Sequence, residues 1–150
     1  MHRRKFIYLG TLSSVVLPLM AQNNPVSMRP EDATSMEELT DILFANREID
    51  EDKSILIKVP EIASYSGSVP VQIESQKTLK RIIVTAPKNR YPLVGIFEVP
   101  KDAIVEYRLK MKIISNSRKA VIKVFAIDEE NRIYHNETDL EVALGGGCEG

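Results

Sequence analysis

Tryptophan is absent from the 150 residues, aromatics make up 6% of them, and there are one cysteine and two histidines. The histidines, His2 and His135, stand far apart in the chain. So sparse a stock of metal ligands and stacking side chains argues against a cofactor enzyme, and no cofactor is expected. With one cysteine no intrachain disulfide can form, which excludes the Cys…Trp…Cys pattern of a disulfide-pinned antibody-type domain. An excess of positive charge is also missing: 20 Lys and Arg meet 21 Asp and Glu, for a net charge of −1. Without a basic stripe, nothing supports binding to nucleic acid or to an anionic membrane. No internal repeat occurs. What is present is a 43% hydrophobic chain, enough for one modest domain with a core.

The first residues read as an address rather than as structure. Arg3, Arg4 and Lys5 form a basic start, Phe6 to Met20 form an apolar run, and Ala21 offers a small residue for cleavage. The run is too short and wrongly flanked for a spanning helix, so residues 1–21 are an expected export signal. The paired arginines followed by Lys5, Phe6 and Ile7 resemble a twin-arginine signal, which exports folded proteins, and a periplasmic location follows. The positive charges of Arg3, Arg4 and Lys5 leave with it, taking the net charge from −1 to −4.

Residues 22–34 are polar, hold two prolines and read as a linker. Ser35 and Glu38 then form a capping box, in which the serine accepts from the backbone three residues on and the glutamate reaches back. Met36, Leu39, Ile42 and Leu43 follow at helical spacing, predicting one amphipathic helix over 35–47. From Ser54 the period changes to two. Ile55, Ile57 and Val59 alternate with polar neighbours, as do Val69, Val71 and Ile73; apolar strands follow at 79–86 and 93–99. The clearest alternation runs from Val105 to Ile113, with Glu106, Arg108, Lys110 and Lys112 on the other face, a solvated or edge face. Stretches 121–127 and 133–144 complete seven strands over 54–144. Short strands with regular turn signals predict an all-β, immunoglobulin-like antiparallel β-sandwich.

After Leu144 the chain reads Gly145, Gly146, Gly147, Cys148, Glu149, Gly150. Consecutive glycines offer nothing to pack and maximal backbone freedom, so residues 145–150 are expected to form a flexible arm. From Leu144 to Cys148 it reaches at most about 13–14 Å. An unpaired cysteine in an exported protein implies a free reactive thiol or pairing with another chain. A lowered thiol pKa needs a helix N-terminus, a metal or a basic neighbour. Glu149 and the terminal carboxylate instead disfavour the thiolate, so its pKa is expected at or above the reference of about 8.5. Such a thiol is a passive hook that a partner must activate.

These residues resemble the SoxY family, the sulfur-carrier subunits of the periplasmic thiosulfate-oxidising Sox system. Gly146, Gly147, Cys148, Glu149 and Gly150 look like the family's terminal Gly-Gly-Cys-Gly-Gly arm, with Glu149 at a position where the family usually has glycine. Val59-Pro60-Glu61-Ile62-Ala63, followed by Val69-Pro70-Val71, is similar to the segment that opens the family's sandwich domain. The resemblance implies a heterodimer with a second immunoglobulin-like subunit, SoxZ. It implies that Cys148 is the site of covalent sulfur attachment. It also implies partner enzymes: a c-type cytochrome complex that couples thiosulfate to the cysteine, a dimanganese hydrolase that releases sulfate and, in some systems, a molybdenum–haem dehydrogenase.

Two other readings stay open. One is an exported interaction module that dimerises through a Cys148 disulfide. The other, a thiol enzyme, would need His135 as general base, and a base on a strand is poorly placed to serve a flexible tail. The expected chain is a covalent carrier, not a catalyst.

Overall fold

The computed structural model describes residues 28–114 and 118–143. After a single 3-10 turn, Pro30–Asp32, comes helix α1 (Met36–Phe44). The Ser35 hydroxyl accepts from the Glu38 N–H at 3.2 Å, satisfying one of the amides that a helix start leaves unpaired. The Glu38 carboxylate reaches one residue further back than the capping-box pattern predicts. It accepts from the N–H of Thr34 at 2.7 Å and from its hydroxyl at 3.2 Å. The helix stops at Phe44 rather than near Arg47, because Ala45 and Asn46 both take left-handed backbone, with φ of 47° and 61°. That reversal closes the last turn through the Ala45 N–H, which donates to Asp41 at 3.0 Å.

Nine strands follow among the described residues. These are β1 (Ile49–Glu51), β2 (Leu56–Lys58), β3 (Ile62–Ala63), β4 (Val69–Ser75), β5 (Leu79–Thr85), β6 (Leu93–Glu98), β7 (Val105–Met111), β8 (Lys119–Asp128) and β9 (Ile133–Val142). One sheet runs β1-β9-β8-β5-β6 with β3 also beside β9; the other is β2-β4-β7. Alternation gives each sheet one apolar face. Val69, Val71 and Ile73 meet Ile82, Val84, Ile122 and Val124 in the shared core, all at most 2% exposed. Burying each such side chain contributes about 1.5–3 kcal/mol. The outer face of the larger sheet carries α1, through a second core in which Phe44 meets Phe125 at 5.1 Å between ring centroids, beside Ile83, Ile127 and Ile133. The architecture is the expected β-sandwich with one helix near the N-terminus.

Two strands depart from the purely antiparallel reading: β1 and β3 both run parallel to β9. Neither is among the seven read from alternation, because three and two residues are too short to display a period. They are strands because β9, ten residues long, pairs with β8 on one side and leaves its other edge open to them. The β8–β9 hairpin is organised by Asp128. Its carboxylate accepts from the N–H groups of Glu130 and Arg132 at 2.9 and 2.8 Å, from Arg132 Nε at 3.1 Å and from the Tyr134 hydroxyl at 3.2 Å. Burial pushes the Asp128 carboxyl up, but those hydrogen bonds and the Arg132 charge outweigh it and hold the group below its ordinary range.

Candidate functional site

Cys148 and its neighbours Gly145, Gly146, Gly147, Glu149 and Gly150 lie outside the described residues, as does the export signal at 1–21. What the structure places is the root from which that segment departs, at the C-terminal end of β9. Three backbone bonds hold it, on alternating sides. Glu141 N–H donates to the carbonyl of Glu61 at 3.1 Å, Val142 N–H to Arg118 at 2.7 Å, and Ala143 N–H to Ala63 at 2.9 Å. The chain is thus pinned to its last described residue. From Ala143 to Cys148 is five residues, an extended reach of about 17 Å.

The partner on one side of this root is the Val59–Pro60–Glu61–Ile62–Ala63 segment. β2 belongs to the small sheet and β3 to the large one. Pro60 lies between them, where a residue without an N–H suits a chain leaving one ladder for another. The second motif falls in β4, where Pro70 stands opposite Lys110 of β7 and beyond the residues that β2 pairs. The strap therefore crosses the sandwich and holds the strand that ends in the tail. Sequence alone links these segments only by resemblance; the structure makes them neighbours.

Three carboxylates surround the root. Glu61, Asp139 and Glu141 line a shallow cleft of about 300 Å³ with Ile62, Leu140 and Lys119. Alternation puts Asp139 and Glu141 on the outer face of the sheet, with Ile62 opposite Glu141 in register. Sequence reasoning singled out Glu61 and Ile62 only through the resemblance and passed over Asp139 and Glu141. The signal that could have found them is the acidic i, i+2 pattern of Glu137, Asp139 and Glu141 in the final strand.

His135 is on β9 too, but eight residues upstream of Ala143, about 26 Å along a strand. A cysteine held within about 17 Å of Ala143 falls short of that imidazole in the same molecule. His135 lies in a cavity of about 550 Å³ between α1 and the sheet, beside Met36, Thr40 and Phe125. Its Nδ1 is buried without a partner among the described residues. Burial pushes the imidazole pKa down and the Lys123 cation lowers it further, against partial opposition from Glu137 and Glu51. It is a half-buried strand histidine.

The basic alternation of β7 ends in a groove of about 470 Å³ on the outer face of the small sheet. Lys58 pairs there with Glu74 at 2.7 Å, and Arg108 pairs with Glu106 at 2.8 Å. This is a solvated face of mixed charge. Among the described residues no group of three or more His, Cys, Asp or Glu side chains could hold a metal ion. No helix of the described residues is long and apolar enough to cross a membrane.

The family model for sulfur oxidation protein SoxY matches residues 40–148, a stretch that includes the strap, the whole sandwich and Cys148. Among solved structures, the sulfur carrier protein SoxY from Chlorobium limicola f. thiosulfatophilum is similar in fold, with a TM-score of 0.63 at 24% identity, covering 73% of this chain and 97% of that one. A superoxide reductase (neelaredoxin) from Ignicoccus hospitalis matches more loosely, with a TM-score of 0.47 at 12% identity, covering 60% of this chain and 80% of that one. No curated protein matches the chain.

Proposed function

Because the chain belongs to the SoxY family, we propose that it is a sulfur carrier of the Sox system that holds its cargo covalently on Cys148. The observation that carries this reading is the family match running through to Cys148 from a strand whose end is fastened on both sides. A carrier needs a fixed body and a thiol on a leash. The described imidazole, His135, lies far up β9 from the root, and on this reading the chemistry falls to partners.

Thiosulfate coupling removes the thiol proton and two electrons, which pass to the cytochrome complex, and joins the cysteine sulfur to the sulfane sulfur of thiosulfate. Water then cleaves the terminal sulfur–sulfur bond in the hydrolase, releasing sulfate and a proton and leaving a persulfide on Cys148. A dehydrogenase oxidises that remaining sulfur where the system has one. The carrier acts beside a SoxZ-type subunit in the periplasm, reached by the twin-arginine route. Glu149 adds a side chain and a charge beside the thiol, so this arm is matched to partners whose channels accept both.

The test is intact-mass measurement of the purified chain, with its partner subunit, after exposure to thiosulfate and the oxidising cytochrome complex. The expected result is a sulfur adduct that disappears in Cys148→Ser. A doubled mass under non-reducing conditions with no adduct would instead support a disulfide-linked dimer.

A further inference from the structure

The imidazole of His135 sits under α1 in surroundings that suit only its neutral form. Its ring lies 6.3 Å from that of Phe125 between centroids, and Phe125 in turn receives Phe44, the aromatic anchor of α1. Met36 and Thr40 of α1 line the same cavity of about 550 Å³. A neutral imidazole carries one ring proton and can leave Nδ1 bare, whereas the cation carries an N–H on both nitrogens. Nδ1 is buried and meets no partner among the described residues, so protonation there leaves a buried donor unsatisfied. The charges that face the ring do not compensate. Lys123 on β8 is the least exposed of them, its side chain 25% accessible, and it repels a second cation. Glu137 on β9 is engaged by Lys123 at 3.4 Å, and Glu51 on β1 by Lys53 at 3.9 Å. Both carboxylates are more than half exposed, so water screens them. Glu37 lines the cavity from α1 and is exposed too, and Pro87, after β5, carries no charge.

α1 is the part that can yield. It has nine residues, too few to hold a helix alone in water, and among the described residues its backbone makes no hydrogen bond to a strand. β9, which carries His135, is laddered to β8 on one side and to β1 and β3 on the other. Lifting α1 hydrates a protonated imidazole at the cost of one apolar contact face, whereas freeing it by breaking β9 would take the sheet apart. We propose that His135 is a proton-operated latch: neutral, it lets α1 close on the large sheet, and on protonation α1 lifts off, uncovering Ile83, Phe125, Ile127 and Ile133. Burial and Lys123 hold the imidazole of the closed form below its ordinary value. The open form therefore binds the proton more tightly. Closure is fully favoured above pH ~6.5 and weakens as pH falls below it towards the value of the closed form. The chemistry of the proposed carrier supplies the signal, since coupling and hydrolysis each release a proton. That link rests on the carrier reading, while the latch itself stands on the fold.

The experiment is hydrogen exchange of the full chain, read by mass spectrometry from about pH 8 to about pH 5, with each rate divided by the intrinsic rate at that pH. Amides of α1 are expected to lose protection about five- to tenfold between pH ~7.5 and pH ~5.5, while those of β5, β8 and β9 keep theirs. His135→Gln and His135→Phe fill the same place with side chains that do not titrate, and in both the protection of α1 is expected to stay flat over that range. Wild-type α1 protection that does not change with pH overturns the latch, and so does an equal loss in either variant. Loss shared by β8 and β9 overturns it as well, because the opening would then be global. The wild-type profile decides by itself if a variant fails to fold: a loss that begins only below about pH 5, where carboxylates titrate, also overturns the proposal. These readouts involve no sulfur chemistry, so failure of the latch leaves the carrier reading standing, and failure of thiosulfate loading leaves the latch standing.

Discussion

Deleting residues 145–147 brings Cys148 from five residues beyond Ala143 to two, and cuts the reach from about 17 Å to about 7 Å. The deletion lies beyond Ala143, whose N–H makes the last backbone bond of the root. Stability in urea is therefore expected to stay within about 0.5 kcal/mol of wild type, as for surface changes away from packed features. A small reagent needs no reach, so the iodoacetamide rate should stay within about twofold. Enzymatic loading needs the sulfur delivered to an enclosed site, and misplacement by even 1 Å can cost about a hundredfold; a deficit of about 10 Å should abolish measurable adduct. The assay is intact-mass detection of the thiosulfate adduct against time, with iodoacetamide labelling run in parallel. Replacing the three glycines by alanines keeps the contour length while restricting the backbone, and separates length from freedom. Loading of the shortened chain at the wild-type rate would refute the reasoning, because the thiol would then be reacting without entering a channel.

Two further expectations concern the scaffold. Asp128→Ala leaves two backbone N–H groups, the Arg132 guanidinium and the Tyr134 hydroxyl without their shared acceptor, and should cost about 1–3 kcal/mol in a denaturation midpoint. Its carboxyl is held below the ordinary value in the folded chain, so the unfolded state binds the extra proton: the stabilisation is present above pH ~4 and lost as pH falls through the folded value. The wild type should lose stability more steeply than the variant over that acid range, and parallel curves would contradict it. Ala45→Gly relieves a left-handed alanine at the end of α1 and should raise stability by about 0.5–1 kcal/mol, read as an upward shift in thermal midpoint. An unchanged or lowered midpoint would contradict it.

The long strands were legible because alternation is a local signal. Val69, Val71 and Ile73, or Ile122 and Val124, declare one face without reference to any neighbour. Elements that exist only through a neighbour were not. β1 and β3 carry too few residues to show a pattern, and they form because the open edge of β9 completes their hydrogen bonds. The early stop of α1 was hidden for a related reason, since alanine at position 45 has no preference for left-handed backbone and takes it to dock Phe44 on Phe125.

The site divides along the same line. A carrier thiol is defined by its chemistry and its tether, both properties of a few consecutive residues, so the proposal for Cys148 among glycines is made from the sequence alone. What fastens the tether is tertiary: Ala63 and Arg118 are 80 and 24 residues from the amides they accept. The exposure of Ile62 and Ile114 is tertiary too. Ile62 alternates as a strand residue should, and Ile114 follows the buried Ile113, so hydropathy assigns neither to the surface. One step of register decides whether a strand side chain enters the core or faces a partner. The outward turn of Ile62 and Ile114 therefore appears only once β3, β7 and β9 end at the same edge of the sandwich.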